Sequence, residues 1–169
     1  SLDIEWGNHD ILWMGASFGN AALICNLLRI NCLYRNLQVI ENYGINLRPL
    51  MSFALEESAD DDCEKFVISD LYGTESELER NAVLRKMTKA VTVLQLKLEN
   101  ELIRNHGEFE MDDRILFEND GLTDKEKELV NYLIGEFSSS RRLSEHGGFL
   151  LRKGSLYRVF NGNLIMHGC

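Results

Sequence analysis

Proline occurs once in these 169 residues, at Pro49, and histidine (four) and tryptophan (two) are nearly as scarce. Positive charge is also short: 18 Lys and Arg stand against 27 Asp and Glu, a formal net charge of -9 and a pI near 4.9. No basic stripe is available to displace counterions, so nucleic acid and anionic membrane surfaces are excluded as general partners. An anionic substrate would need a metal ion or a few placed cations. The four cysteines, Cys25, Cys32, Cys63 and Cys169, form neither a close pair nor a zinc spacing. They read as reduced thiols of a cytoplasmic protein. No basic segment followed by an apolar run and a small-residue cleavage site opens the chain, so a signal peptide is not expected. The longest apolar stretch, Ile11 to Leu28, is broken by Gly15, Ser17, Gly19, Asn20 and Asn26, which suits a buried helix better than a membrane span. Internal repeats and low-complexity tracts are absent.

What is present is a 44% hydrophobic chain, long enough for one sizeable core. Leu2, Ile4 and Trp6 alternate with acidic residues, the period of a strand, and Gly7 ends it. Ile11 to Tyr34 is apolar nearly all round, predicting a short and a longer buried helix separated at Gly19. Asn46 is placed to cap a helix running to Leu55, with Pro49 in its first turn. Ser58 to Gly73 reads as an acidic surface connection. Its Asp60-Asp61-Asp62 run lacks the alternation and the glycine of a calcium loop, since Lys65 holds that position. Thr74 and Glu77 form a T-x-x-E box, and Leu84, Met87, Val91, Leu94, Leu98 and Leu102 predict a long amphipathic helix to about Arg104. Thr123 and Glu126 repeat the box ahead of Leu129, Val130, Leu133, Ile134 and Phe137, a second such helix ended by Ser138-Ser139-Ser140. Ser155 to Met166 reads as a hairpin turning at Asn161-Gly162-Asn163.

Two strand ends therefore carry an imidazole beside a glycine: Gly7-Asn8-His9-Asp10 and His167-Gly168. A loop at a strand end can aim short polar groups into a cleft. An amide oxygen and a neutral imidazole suit a divalent ion, and a second imidazole can carry a proton. Asp10 is expected to cap the helix starting at Ile11. His106 and His146 are placed in solvated loops, and Arg152 and Lys153 in a basic turn before the hairpin. Trp6 and Trp13 are expected to pack the strand and first helix.

The segments WGNHDILWMGA, YGINLRPL, KAVTVLQLKLE and KGSLYRVFNGNLIMHGC together resemble the class III fructose-1,6-bisphosphatases of bacteria, which belong to the calcineurin-like metallophosphatases. The resemblance implies hydrolysis of fructose 1,6-bisphosphate with two metal ions, Mn2+ being the family's usual metal. It puts Asn8 and His167 on one of those metals and makes His9 the proton donor or the group that steadies the departing oxygen. Arg152 and Lys153 are the cations that could meet the sugar bisphosphate. The fold implied is mainly α with short terminal strands, the helical insertion of an α/β metallophosphatase whose core is a β-sandwich flanked by helices. Residues 1–10 and 153–169 would supply the core strands and ligand loops, and 11–152 the insertion. The family also uses an upstream Asp-x-His, an upstream Gly-Asp-x-x-Asp and a later His motif, and none occurs here. The chain is thus expected to be a piece of the enzyme, inactive alone because two donors without a bridging carboxylate do not hold a dinuclear site. A short connection at Phe117 to Leu122 departs from the family, which carries more sequence there. Two alternatives stand beside this reading: a metallophosphatase for another phosphomonoester, and a non-catalytic helical module that serves assembly of subunits, motivated by the heptad-like helix from Leu84 to Leu102 and consistent with a homo-oligomer.

Overall fold

The computed structural model describes residues 3–66, 75–115 and 121–168. Helices make up most of it. α1 (Asn8–Ser17), α2 (Ala21–Leu33), α3 (Leu37–Glu41), α4 (Arg48–Glu57), α5 (Glu75–Asn105), α6 (Asp124–Ser139) and α7 (Arg141–Lys153) are joined to four short strands, β1 (Ile4–Glu5), β2 (Gly154–Ser155), β3 (Tyr157–Phe160) and β4 (Asn163–Met166). No described helix is long and apolar enough to cross a membrane.

The core forms where the apolar stripes meet. α2 lies along α5, with α4 and α6 closing the sides, and Ile24, Leu28, Leu50, Val91, Leu94, Leu133 and Phe137 are almost wholly buried between them. The long helix uses its stripe internally at Leu84, Met87, Val91 and Leu94, whereas Leu102 remains exposed. Most of the stripe is thus used within the chain. The Thr123–Glu126 box is fully formed: Glu126 N–H donates to Thr123 Oγ1 at 3.2 Å and Thr123 N–H to Glu126 Oε2 at 2.7 Å. The corresponding Thr74–Glu77 box lies outside the described residues. Asn46 does its capping work from one residue further out than expected. Leu47 is the residue flanking α4, and Asn46 Oδ1 accepts from the Arg48 N–H at 3.1 Å. In the acidic connection, Asp61 is bound by Lys89 at 2.7 Å and by the Cys63 N–H at 2.8 Å, so it ties the loop to α5.

Three expectations need correction. Asn8, His9 and Asp10 do not sit in a loop, because α1 begins one residue after Gly7. Asp10 is not the N-cap. It stands three residues inside, where its carboxylate accepts the Gly7 N–H at 2.8 Å, the reach-back half of a capping box. His146, Arg152 and Lys153 are helical, not in loops or turns. The glycine beside His146 is demanded by packing: Gly147 is buried against Ser17 of α1, where a side chain would collide with Ser17 Oγ.

Two separate two-stranded sheets complete the fold. β3 and β4 pair antiparallel with Tyr157 opposite Met166 and Phe160 opposite Asn163. Their turn has Asn161 and Gly162 at φ 50° and 77°, the paired left-handed conformation of a type I′ turn that Asn-Gly favours. β2 was not foreseen. It pairs in parallel with β1, Ile4 to Gly154 and Glu5 to Ser155, and so joins the two ends of the chain.

Candidate functional site

The β1–β2 pairing assembles the site. Trp6 N–H donates to Ser155 O at 3.0 Å, the Trp6 indole N–H to Leu150 O at 2.9 Å, and Arg158 pairs with Asp3 at 2.7 Å. From there the chain turns through Gly7, which is buried, into α1. The glycine is backed by His167: a Cβ built on Gly7 would lie 3.4 Å from both Cε1 and Nε2 of that ring. Asn8, the first residue of α1, and His167, one residue beyond β4, both open on one cavity of about 670 Å3, walled by Trp6, Ile11, Leu156, Leu164 and Met166. The strand-end imidazole and the strand-end amide are therefore brought together from opposite ends of the chain.

His9 is placed elsewhere. One residue further along a helix is turned by about 100°, and His9 borders a different cavity, of about 290 Å3, with Asn31, Tyr34 and Asn36 at the corner between α2 and α3. Arg152 and Lys153 end α7, exposed, and are not among the walls of the Asn8–His167 cavity. Their position at a helix C-terminus suits the helix dipole. His146 has a partner that sequence reasoning missed: the Tyr43 hydroxyl and His146 Nδ1 are 3.0 Å apart. Trp13 lies 5.5 Å from the Tyr43 ring and Arg142 sits over it at 5.5 Å. A cavity of about 410 Å3 beside them also touches Asp10. No local pattern announces this cluster, since its members come from α1, the α3–α4 connection and α7.

The donor set fits one edge of a divalent ion's shell. Asn8 and His167 are the neutral oxygen and nitrogen types such ions accept, but Asp10, the carboxylate of this turn, is engaged by Gly7. Among the described residues no three His, Cys, Asp or Glu side chains gather as a metal group. A dinuclear centre is thus not contained in these residues. The buried thiols do not compensate. Cys25 and Cys32 are both pushed up to about 12 by burial, so neither is a thiolate at neutral pH, and Cys25, Cys32 and Cys63 are all free.

The sequence that folds this way is matched by a known family. The family model of the Firmicute fructose-1,6-bisphosphatase matches residues 1–121 and 118–169, and the chain belongs to that family. It is 44% identical over 204 positions to a class 3 fructose-1,6-bisphosphatase of Clostridium beijerinckii, covering 100% of this chain and 31% of the relative. The class 3 enzyme of Clostridium novyi is 40% identical over 200 positions, with 100% and 30% covered, and that of Listeria monocytogenes serotype 4b 38% over 200, with 100% and 31%. The chain therefore spans about a third of the length of these relatives. The alignments are longer than the 169 residues, and the family match divides at 118–121, the short connection noted in the sequence. No solved structure matches.

Proposed function

We propose that this chain is the helical segment of a cytoplasmic fructose-1,6-bisphosphatase that hydrolyses fructose 1,6-bisphosphate to fructose 6-phosphate and phosphate in gluconeogenesis. The observation that carries this reading, beside family membership, is the convergence of Asn8 and His167 on one cavity. These two residues hold one of two Mn2+ ions whose remaining ligands lie outside the described residues. Such ions, when bound, acidify the attacking water and neutralise charge on the phosphoryl oxygens. His9 is the proton donor of this reading, and its place on the separate cavity beside Asn31 and Asn36 counts against that role. Arg152 and Lys153 attract the bisphosphate from the end of α7. The names of the relatives favour the sugar bisphosphate over another phosphomonoester. The helical-assembly alternative is weakened because the α5 stripe from Leu84 to Leu94 is buried against α2 and α4.

The test is phosphate release from fructose 1,6-bisphosphate by the complete protein containing this chain, with Mn2+. His167→Ala is expected to remove turnover, and the 169 residues alone to be inactive. Full activity of the His167→Ala protein would overturn the ligand assignment, and turnover of a different phosphomonoester in preference would overturn the substrate.

A further inference from the structure

Trp6 connects the candidate site to the helical body. Its backbone extends the β1–β2 pairing, while its indole N–H reaches Leu150 O in the last turns of α7 at 2.9 Å. The same indole forms part of the wall of the cavity on which Asn8 and His167 open. The contact leaves no room at Gly154. A Cβ there would fall inside the Trp6 indole edge and 2.8 Å from Leu150 O. Gly154 follows α7 directly and begins β2, so one close approach joins helix end, strand and cavity wall. Beyond Trp6, Gly7 N–H is held by Asp10 at 2.8 Å and the glycine lies against the His167 ring. A shift of Trp6 is therefore passed through a single residue, Gly7, to both Asn8 and His167.

We infer that Trp6 is a positioning residue: clamped between Leu150 and Gly154, it fixes the relative placement of Asn8 and His167. This rests on the proposed metal-binding role of those two side chains. The clamp makes the end of α7 part of the site's support, although α7 itself gives the cavity no wall. An indole serves where a phenyl ring would not, because the bond to Leu150 O needs a donor at the ring edge. The Leu150 carbonyl accepts twice, from the Gly154 N–H that closes α7 and from the indole, as its two lone pairs allow.

The experiment uses the complete protein and compares Trp6→Phe, which keeps the ring and removes the donor, with Gly154→Ala, which forces the indole aside. Supporting groups one contact removed from metal ligands change metal affinity or activity by about 10- to 100-fold when lost. Trp6→Phe is expected at the low end, about tenfold in Mn2+ affinity by calorimetric titration and in kcat, with KM for the bisphosphate unchanged. Gly154→Ala is expected to be larger in the same two quantities. Thermal melting is measured on each. A Trp6→Phe protein with wild-type Mn2+ affinity overturns the inference, as does a loss that falls on KM alone or follows only a lowered melting temperature. Should Gly154→Ala fail to fold, Trp6→Phe decides by itself. Weakened Mn2+ binding in a protein that never hydrolyses the bisphosphate would sink the substrate reading while supporting the clamp.

Discussion

Leu28, Val91, Leu94 and Phe137 of the helical body are fully buried, whereas Val159, Phe160 and Leu164 of the terminal hairpin are exposed by 66%, 66% and 61%. Both regions are rich in apolar side chains, and the difference lies in what each can cover with its own residues. A helix presents one stripe, and α2, α4, α5 and α6 supply enough stripes to close on one another. A two-stranded ribbon has two faces and no second layer, and one standing alone is marginally stable. Every residue of β3 and β4 is exposed. Apolar residues on both faces belong to strands covered on both sides, and among the described residues nothing covers these. The helical body is thus a folding unit, and the hairpin is a surface that carries His167.

The largest test of this contrast sets one aromatic against another. Phe137→Ala should lower the free energy of unfolding by about 4 kcal/mol, as truncation of buried aromatics does. Phe160→Ser should change it by about 0.5 kcal/mol or less, as at surface positions. Urea denaturation measures both, and equal losses would break the comparison.

A second test stays inside the body. Lys97 Nζ donates to both Glu126 oxygens at 2.9 Å, with the two side chains 14% and 10% exposed. Burial acts to raise the Glu126 pKa, but the Lys97 ammonium and the Thr123 cap outweigh it and hold it below its usual 4.5. A carboxyl depressed in the folded state contributes stability above the unfolded value, and that contribution is lost as pH falls through the folded one. Lys97→Met should therefore cost about 2 kcal/mol at pH 7, typical of a charged hydrogen bond, and the difference from wild type should shrink below pH 4.5. A pH-independent gap would mean that packing, not charge, carries the pair.

Smaller effects are expected at the join. Arg158 and Asp3 are bonded at 2.7 Å but are 44% and 51% exposed, so Arg158→Ala should cost about 1 kcal/mol at most, and less at high salt. The smallest expected effect is no reaction at all. Cys25 and Cys32, buried and held protonated, should stay unlabelled by a thiol reagent at pH 8 until the body unfolds. Labelling in the native state would show that the core opens locally.

Much of the body is legible residue by residue. The spacing of Leu84, Met87, Val91 and Leu94 places α5, and Thr123 with Glu126 marks the first turn of α6. Asn161-Gly162 marks the hairpin turn. Asn8 and His167 could be picked out as candidates from residue type and glycine neighbours, although nothing local says that they meet. His146 was misread as a loop residue because the glycine beside it lowers helix propensity, while Ser17 of α1, distant in sequence, leaves no room for a side chain at Gly147. Trp6 was expected only to pack, since its acceptor, Leu150, lies in α7.

The sequence by itself determined α2, α5 and α6, the Thr123–Glu126 cap and the Asn161–Gly162 turn, because those depend on side chains three or four residues apart and on local backbone preference. Only the tertiary structure decided that β1 pairs with β2, that Gly154 gives way to Trp6, and that Asn8 shares a cavity with His167 while His9 faces another. Those choices join residues from the two ends of the chain. Their free energy is set by steric fit and hydrogen bonding between segments that no local pattern relates.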